Sequence, residues 1–194
     1  MAIWLVGGTL GYNVIEATVA LWFGARADSI ALFGFGLDSV IECAAATVLL
    51  WRLTKEAHGA AEEDIEAADR KVRRFIGLTF FALAAYVAVE AAWTLARGAR
   101  PDESVAGIVL AVASLVVMPI LAWAKLKVAA HLDSGALRSE AKETLACAYL
   151  SLALLLGLVA NAAAGWWQAD PIAALAMTPW LVKEGLEGVR GERD

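Results

Sequence analysis

"GFGLDSVIECAAATVLLW", residues Gly34–Trp51, decides how this chain is read. It has the apolar density of a membrane-crossing helix, yet it carries Asp38 and Glu42. Residues four apart share one face of a helix, so the two carboxylates point the same way. A carboxylate set against lipid costs about 3 kcal/mol or more. The pair must therefore face an interior and meet a cation, a proton or a polar partner there.

The rest of the chain repeats the apolar half of this pattern. Of 194 residues, 60% are hydrophobic, and the mean hydropathy is +0.64. That exceeds what a soluble domain of this length carries. Runs of about twenty apolar residues are the mark of membrane helices. Six occur, at about 3–24, 29–53, 74–96, 104–125, 136–164 and 171–189. Six such runs leave no amphipathic elements to form the shell of a soluble protein. The expected fold is an all-α membrane protein, one domain over residues 1–194, with six transmembrane helices and no soluble domain. The first run does not read as a cleaved signal peptide, because no Lys or Arg precedes it and it is long enough to span.

Lys and Arg set the orientation. With six spans both termini share a side, and that side collects thirteen of the sixteen basic residues; only Arg26, Arg97 and Arg100 fall on the other. Both termini are expected in the cytoplasm, and the inner membrane of a bacterial cell is the expected location. The net charge of −5 says little about partners, since the acids are concentrated in one connector and within the spans. No nucleic-acid partner is expected; the bilayer is. Seven of the eight Trp lie near run ends, as an aromatic belt requires, and Trp180 fits less well. Cys43 and Cys147 fall inside spans, so no disulfide framework is expected.

The connector "KEAHGAAEEDIEAADRKVRR" (Lys55–Arg74) places acids before bases. It reads as a helical extension and a solvated connector rather than a metal-collecting loop. His58 and His131 are lone histidines in connecting segments and are not expected to bind metal. "GGTLG" (Gly7–Gly11) has small residues at a spacing that permits close helix packing.

The polar groups inside the spans carry the functional signal. They are Asn13 and Glu16 in the first, Asp38, Ser39 and Glu42 in the second, Glu90 in the third and Ser114 in the fourth. Glu140, Glu143, Cys147, Ser151 and Asn161 follow in the fifth, and Asp170 opens the sixth. The acids have no basic partner expected at comparable depth, because Lys142 should snorkel to the interface. Buried acids without counter-charges stay protonated or hold a cation.

Asp38 with Glu42 and Glu143 with Cys147 are two i,i+4 pairs, with Glu140 one turn before Glu143. Facing each other they supply three oxygens and one sulfur. That set suits tetrahedral Zn²⁺ or Cd²⁺ better than Mg²⁺ or Ca²⁺. Packing as a small hydrophobe is the other reading of Cys147. Glu140, Glu16, Asn13 and Glu90 are candidates for the access path, with helix-to-helix hydrogen bonding the alternative for Asn13, Glu16 and Glu90. Each ligand loses its proton before it takes metal, so metal binding and proton release are coupled. No catalytic residues and no enzymatic activity are expected.

The motifs carry a resemblance. "SIALFGFGLDSVIE" (Ser29–Glu42) resembles the second transmembrane segment of the cation diffusion facilitator family, whose two metal positions fall on Asp38 and Glu42. "SEAKETLACAYLSLALLLGL" (Ser139–Leu158) is similar to the fifth segment, whose metal pair falls on Glu143 and Cys147. "NAAAGWWQADPIAAL" (Asn161–Leu175) resembles the following turn. "GFGLDSVIE" with an upstream N-x-x-E is similar to the short branch that includes vertebrate zinc-efflux proteins of synaptic vesicles. The resemblance implies six helices, a homodimer, one transport site per protomer near mid-membrane, and proton-coupled export of Zn²⁺ or a similar divalent cation. The family usually has His and Asp where this chain has Asp, Glu, Glu and Cys, so Zn²⁺, Cd²⁺, Mn²⁺ and Fe²⁺ all stay open. The family also usually ends in a cytoplasmic metal-sensing domain, and this chain ends at Asp194. Two rival functions fit the same acids: a proton-coupled carrier of organic cations, and a membrane metal-binding or scaffold protein that does not transport.

Overall fold

The computed structural model describes residues 2–58, 62–132 and 135–190. They form six α-helices: α1 (Ala2–Ala27), α2 (Ile30–Ala57), α3 (Glu62–Arg97), α4 (Val105–Leu132), α5 (Gly135–Ala164) and α6 (Ala169–Arg190). Among the described residues there is no strand. α3 begins well before Arg74 and α4 runs on past Lys125, so the polar flanks of both apolar runs are helical. The metal-collecting reading of the Lys55–Arg74 connector falls largely on side chains outside the described residues.

Four helices hold segments long and apolar enough to cross a bilayer: Ile30–Lys55, Arg74–Arg97, Val105–Leu132 and Glu140–Ala164. α1 and α6 fall short on composition, not length. Gly, Thr, Asn and Glu dilute α1, and charged residues fill the last turns of α6. At 1.5 Å per residue, the 26 and 22 residues of these helices reach roughly 39 and 33 Å, enough for a hydrocarbon core of about 30 Å.

The surface has the polarity of a protein in lipid. Trp4 is 85% exposed, Val105 71% and Phe75 68%. Trp22, Trp93, Trp123 and Trp166 are also exposed, and Arg26, Arg97 and Lys127 lie over the rings of Trp22, Trp93 and Trp123. Such aromatic–cation pairs suit the headgroup region, where one end of the ring is apolar and the other wet. The polar side chains Thr9, Asn13, Glu16, Asp38, Ser114, Lys125, Thr144 and Ser151 are buried instead.

The helices pack in three intimate pairs, α1 on α2, α4 on α5 and α3 on α6. α2 touches α1, α3, α5 and α6, and is the hub. The main core joins Phe35, Leu83, Val87, Met118, Leu154 and Met177 from five helices. Where α3 meets α6, a Cβ on Gly77 would come within 2.9 Å of backbone atoms of Gly185 and Gly188 and within 2.8 Å of Val189. Only glycine permits that approach, since backbone cannot move aside as a side-chain tip can. The small residues of "GGTLG" make no such approach within the chain: Gly7, Gly8 and Gly11 have nothing within 4 Å of an added Cβ. Their face of α1 points away from the helices α1 packs on. Gly98 and Gly165, at φ 66° and 62°, end α3 and α5 in the left-handed conformation that glycine adopts freely.

Candidate metal centre

The start of α2 is fixed by two side chains. Ser29 Oγ accepts a hydrogen bond from the Leu32 N–H and donates to Asp170 Oδ1. Asp170 Oδ2 accepts from the N–H groups of Ile30 and Ala31. The free N–H groups of the first turn are thereby satisfied. Asp170, counted among the polar groups of the spans, thus acts as a cap that ties the start of α6 to the start of α2.

From that anchor α2 carries Asp38 and Glu42 inward on one face. α5 presents Cys147, fully buried, opposite them. Asp38, Glu42 and Cys147 each offer a ligand atom, and these atoms all lie within 4.8 Å of one another. Around a tetrahedral Zn²⁺ with bonds of about 2.0–2.3 Å, ligand atoms lie roughly 3.4 Å apart. Small side-chain adjustments would close the group on a divalent ion. Glu143 lines the same cavity, one turn before Cys147, together with Phe80 of α3 and Trp180 and Glu184 of α6. The structure therefore brings three of the four expected ligands into one group, with the fourth beside it. Cys43 is half-buried and lies outside the group.

Behind these ligands stands α1. Asn13 Nδ2 donates to Glu42 Oε2 at 2.9 Å. Cys147 Sγ lies 3.8 Å from Glu16 Oε1, donating to it. Ser114 Oγ of α4 donates to the same oxygen at 3.0 Å, and Tyr12 OH lies 2.9 Å from Ser114 Oγ. Asn13 and Glu16 each touch one residue of the metal group. Among the described residues, Asn13 Oδ1 and Glu16 Oε2 are buried acceptors with no hydrogen-bond partner. A second rank of hydrogen bonds that fixes the orientation of ligands is a regular feature of metal sites.

One expectation is corrected. Lys125, placed by sequence at the end of a span, is fully buried, as several of the acids are. Its Nζ donates to Glu140 Oε1 at 2.6 Å and to Thr144 Oγ1 at 2.8 Å. Because α4 continues to Leu132, Lys125 lies inside the helix instead of at its rim. Glu140 is consequently held in an ion pair. Glu90 is half-buried on α3, one turn from Tyr86, and is not part of the metal group. His58, just past the end of α2, and His131 in α4 hydrogen-bond the carbonyls of Thr54 and Lys127. Asn161 donates to the Pro101 carbonyl and fastens the connection between α3 and α4.

Glu184 and Trp180 are cavity residues that the sequence reading did not place in the site. The available signal was Trp180, which misfits the aromatic belt and stands four residues before Glu184 on one helix face.

Acceptor oxygens and a sulfur gathered inside an apolar bundle form a place for a cation. Known proteins agree with that. Over 174 residues the chain is 27% identical to a protein of Synechocystis sp. (strain ATCC 27184 / PCC 6803 / Kazusa) described as an uncharacterized transporter. The match covers 87% of this chain and spans 56% of the relative's length. Residues 9–190, and so the whole set Asn13 to Glu184, match the family described as the cation efflux transmembrane domain, and the chain belongs to that family of membrane cation transporters.

Proposed function

We propose that this protein exports a divalent metal cation from the cytoplasm in exchange for protons, with Zn²⁺ the first candidate and Cd²⁺, Mn²⁺ and Fe²⁺ the others. The observation that carries the reading is the group of buried Asp38, half-buried Glu42 and buried Cys147 at the contact of α2 and α5, with ligand atoms within 4.8 Å of one another. Two carboxylates and a thiol favour a borderline or soft ion over Mg²⁺ or Ca²⁺. Glu143 completes the set from the next turn of α5.

Proton exchange is proposed on chemical grounds. A carboxylic acid or thiol that takes up metal must release its proton, and one that gives up metal can take a proton back. If the cavity opens to the two sides in turn, these exchanges move protons against metal. The protomers act as homodimers in this reading. The similarity of "GFGLDSVIE" to the short zinc-efflux branch supports a zinc-like cargo on that stretch alone.

Purified protein in sealed vesicles tests it. Addition of Zn²⁺, Cd²⁺, Mn²⁺ or Fe²⁺ outside should change the lumenal pH for at least one metal, and Asp38→Ala should abolish the change. Absence of a metal-dependent pH change for all four would overturn the exporter reading.

A further inference from the structure

The mechanism above uses acids and a thiol and leaves Lys125 without a task. Lys125 is the only basic side chain among the buried described residues, and it shares the interior with Glu16, Asp38 and Glu140. Burial of an ammonium in a bilayer protein is costly and calls for a reason. Packing alone is a poor one, because an apolar side chain would fill the α4–α5 seam more cheaply.

The pairing is also incomplete. Lys125 Nζ uses one carboxylate oxygen of Glu140 and the hydroxyl of Thr144. Glu140 Oε2 is buried with no hydrogen-bond partner among the described residues. A structural ion pair is best when both oxygens are satisfied. The pair is held through one carboxylate oxygen, and in an interior of low polarisability the field of the ammonium extends beyond it. Cys147 holds its Sγ within 4.8 Å of the ligand atoms of Asp38 and Glu42. On α5, Thr144 lies one turn from Cys147, so the seam that holds the ammonium runs into the metal group.

We infer that Lys125 is a built-in counter-cation of the transport site, which balances the acid group when no cargo is bound and repels the cargo once it is, so that its charge sets how tightly the metal is held. This rests on the proposed transport of a divalent cation. An empty site of clustered carboxylates would push its own helices apart or fill with protons. A fixed positive charge nearby lessens both. The same charge then weakens binding of a divalent ion and favours its release, which a transporter needs and a storage site does not.

The inference is tested with the full chain purified in detergent and titrated with Cd²⁺, reading the absorbance of the Cd²⁺–Cys147 thiolate bond. Lys125→Gln and Lys125→Met remove the charge, Lys125→Arg keeps it, and Glu140→Gln leaves the ammonium less compensated. The neutral variants should bind Cd²⁺ roughly tenfold tighter or more, since charges interact strongly across a poorly polarisable interior. Lys125→Arg should stay near the wild type, and Glu140→Gln should bind more weakly. Folded neutral variants that bind at wild-type strength or below would overturn the inference, as would weakening of the same size in Lys125→Gln and Glu140→Gln, the mark of a structural pair. Should neither neutral variant fold, Glu140→Gln decides: unchanged or tighter binding sinks the inference. Absence of the thiolate band in the wild type would instead strike at the metal site itself.

Discussion

Asp170 and Asp38 are both buried aspartates of one bundle, and their surroundings are opposite. Asp170 is met by a hydroxyl and two backbone N–H groups, so its two oxygens are occupied by donors. Asp38 is met by Glu42 and Cys147, with Glu143 and Glu184 on the same cavity wall. The first arrangement is what a stable fold asks of a buried carboxylate. The second gathers acceptors against acceptors and is stable only when something positive is present. Donor supply, more than burial, separates the acid that builds the protein from the acid that works in it.

Substitutions can break or sharpen that contrast. The largest effect is expected from Asp38→Ala: metal-driven proton release in vesicles should vanish while the protein still folds, because the substitution removes a self-repelling charge. Retained transport in this variant would erase the distinction. Next comes Asn13→Ala, which removes the donor to Glu42. Calorimetric titration should show metal affinity reduced by about 10–100-fold, the usual cost of losing a group that orients a ligand. Cys147→Ser should act on preference more than on binding as such. Competition between Cd²⁺ and Mn²⁺ should shift by about tenfold toward Mn²⁺, since an oxygen replaces the soft sulfur. A constant ratio would place Cys147 in packing. The smallest effect on cargo belongs to Asp170→Ala. Metal affinity should hold, while thermal unfolding in detergent should reveal a loss of about 1–2 kcal/mol, that of a helix cap.

The contact of α3 with α6 depends on glycine. Gly77 lets α3 lie against the backbone of α6 at a distance no side chain allows. α6 in turn brings Trp180 and Glu184 to the cavity. A helix that is weak as an apolar span therefore holds its place through close backbone contact.

The amino-acid sequence by itself determined the all-helical class, because apolar runs of membrane length are a property of composition along the chain and need no partner to be read. It also determined that Asp38 with Glu42 and Glu143 with Cys147 each share a face, because helix periodicity is local. Tertiary structure alone decided which faces meet. It brought Cys147 onto Asp38 and Glu42 with Glu143 set slightly apart, and put Asn13 and Glu16 behind them through hydrogen bonds between helices distant in sequence. It turned Asp170 into a cap and Lys125 into an interior cation. A lysine seven residues from a helix end looks like a rim residue in sequence; only the packing of α4 on α5 settles that its ammonium turns inward to Glu140 instead of outward to water.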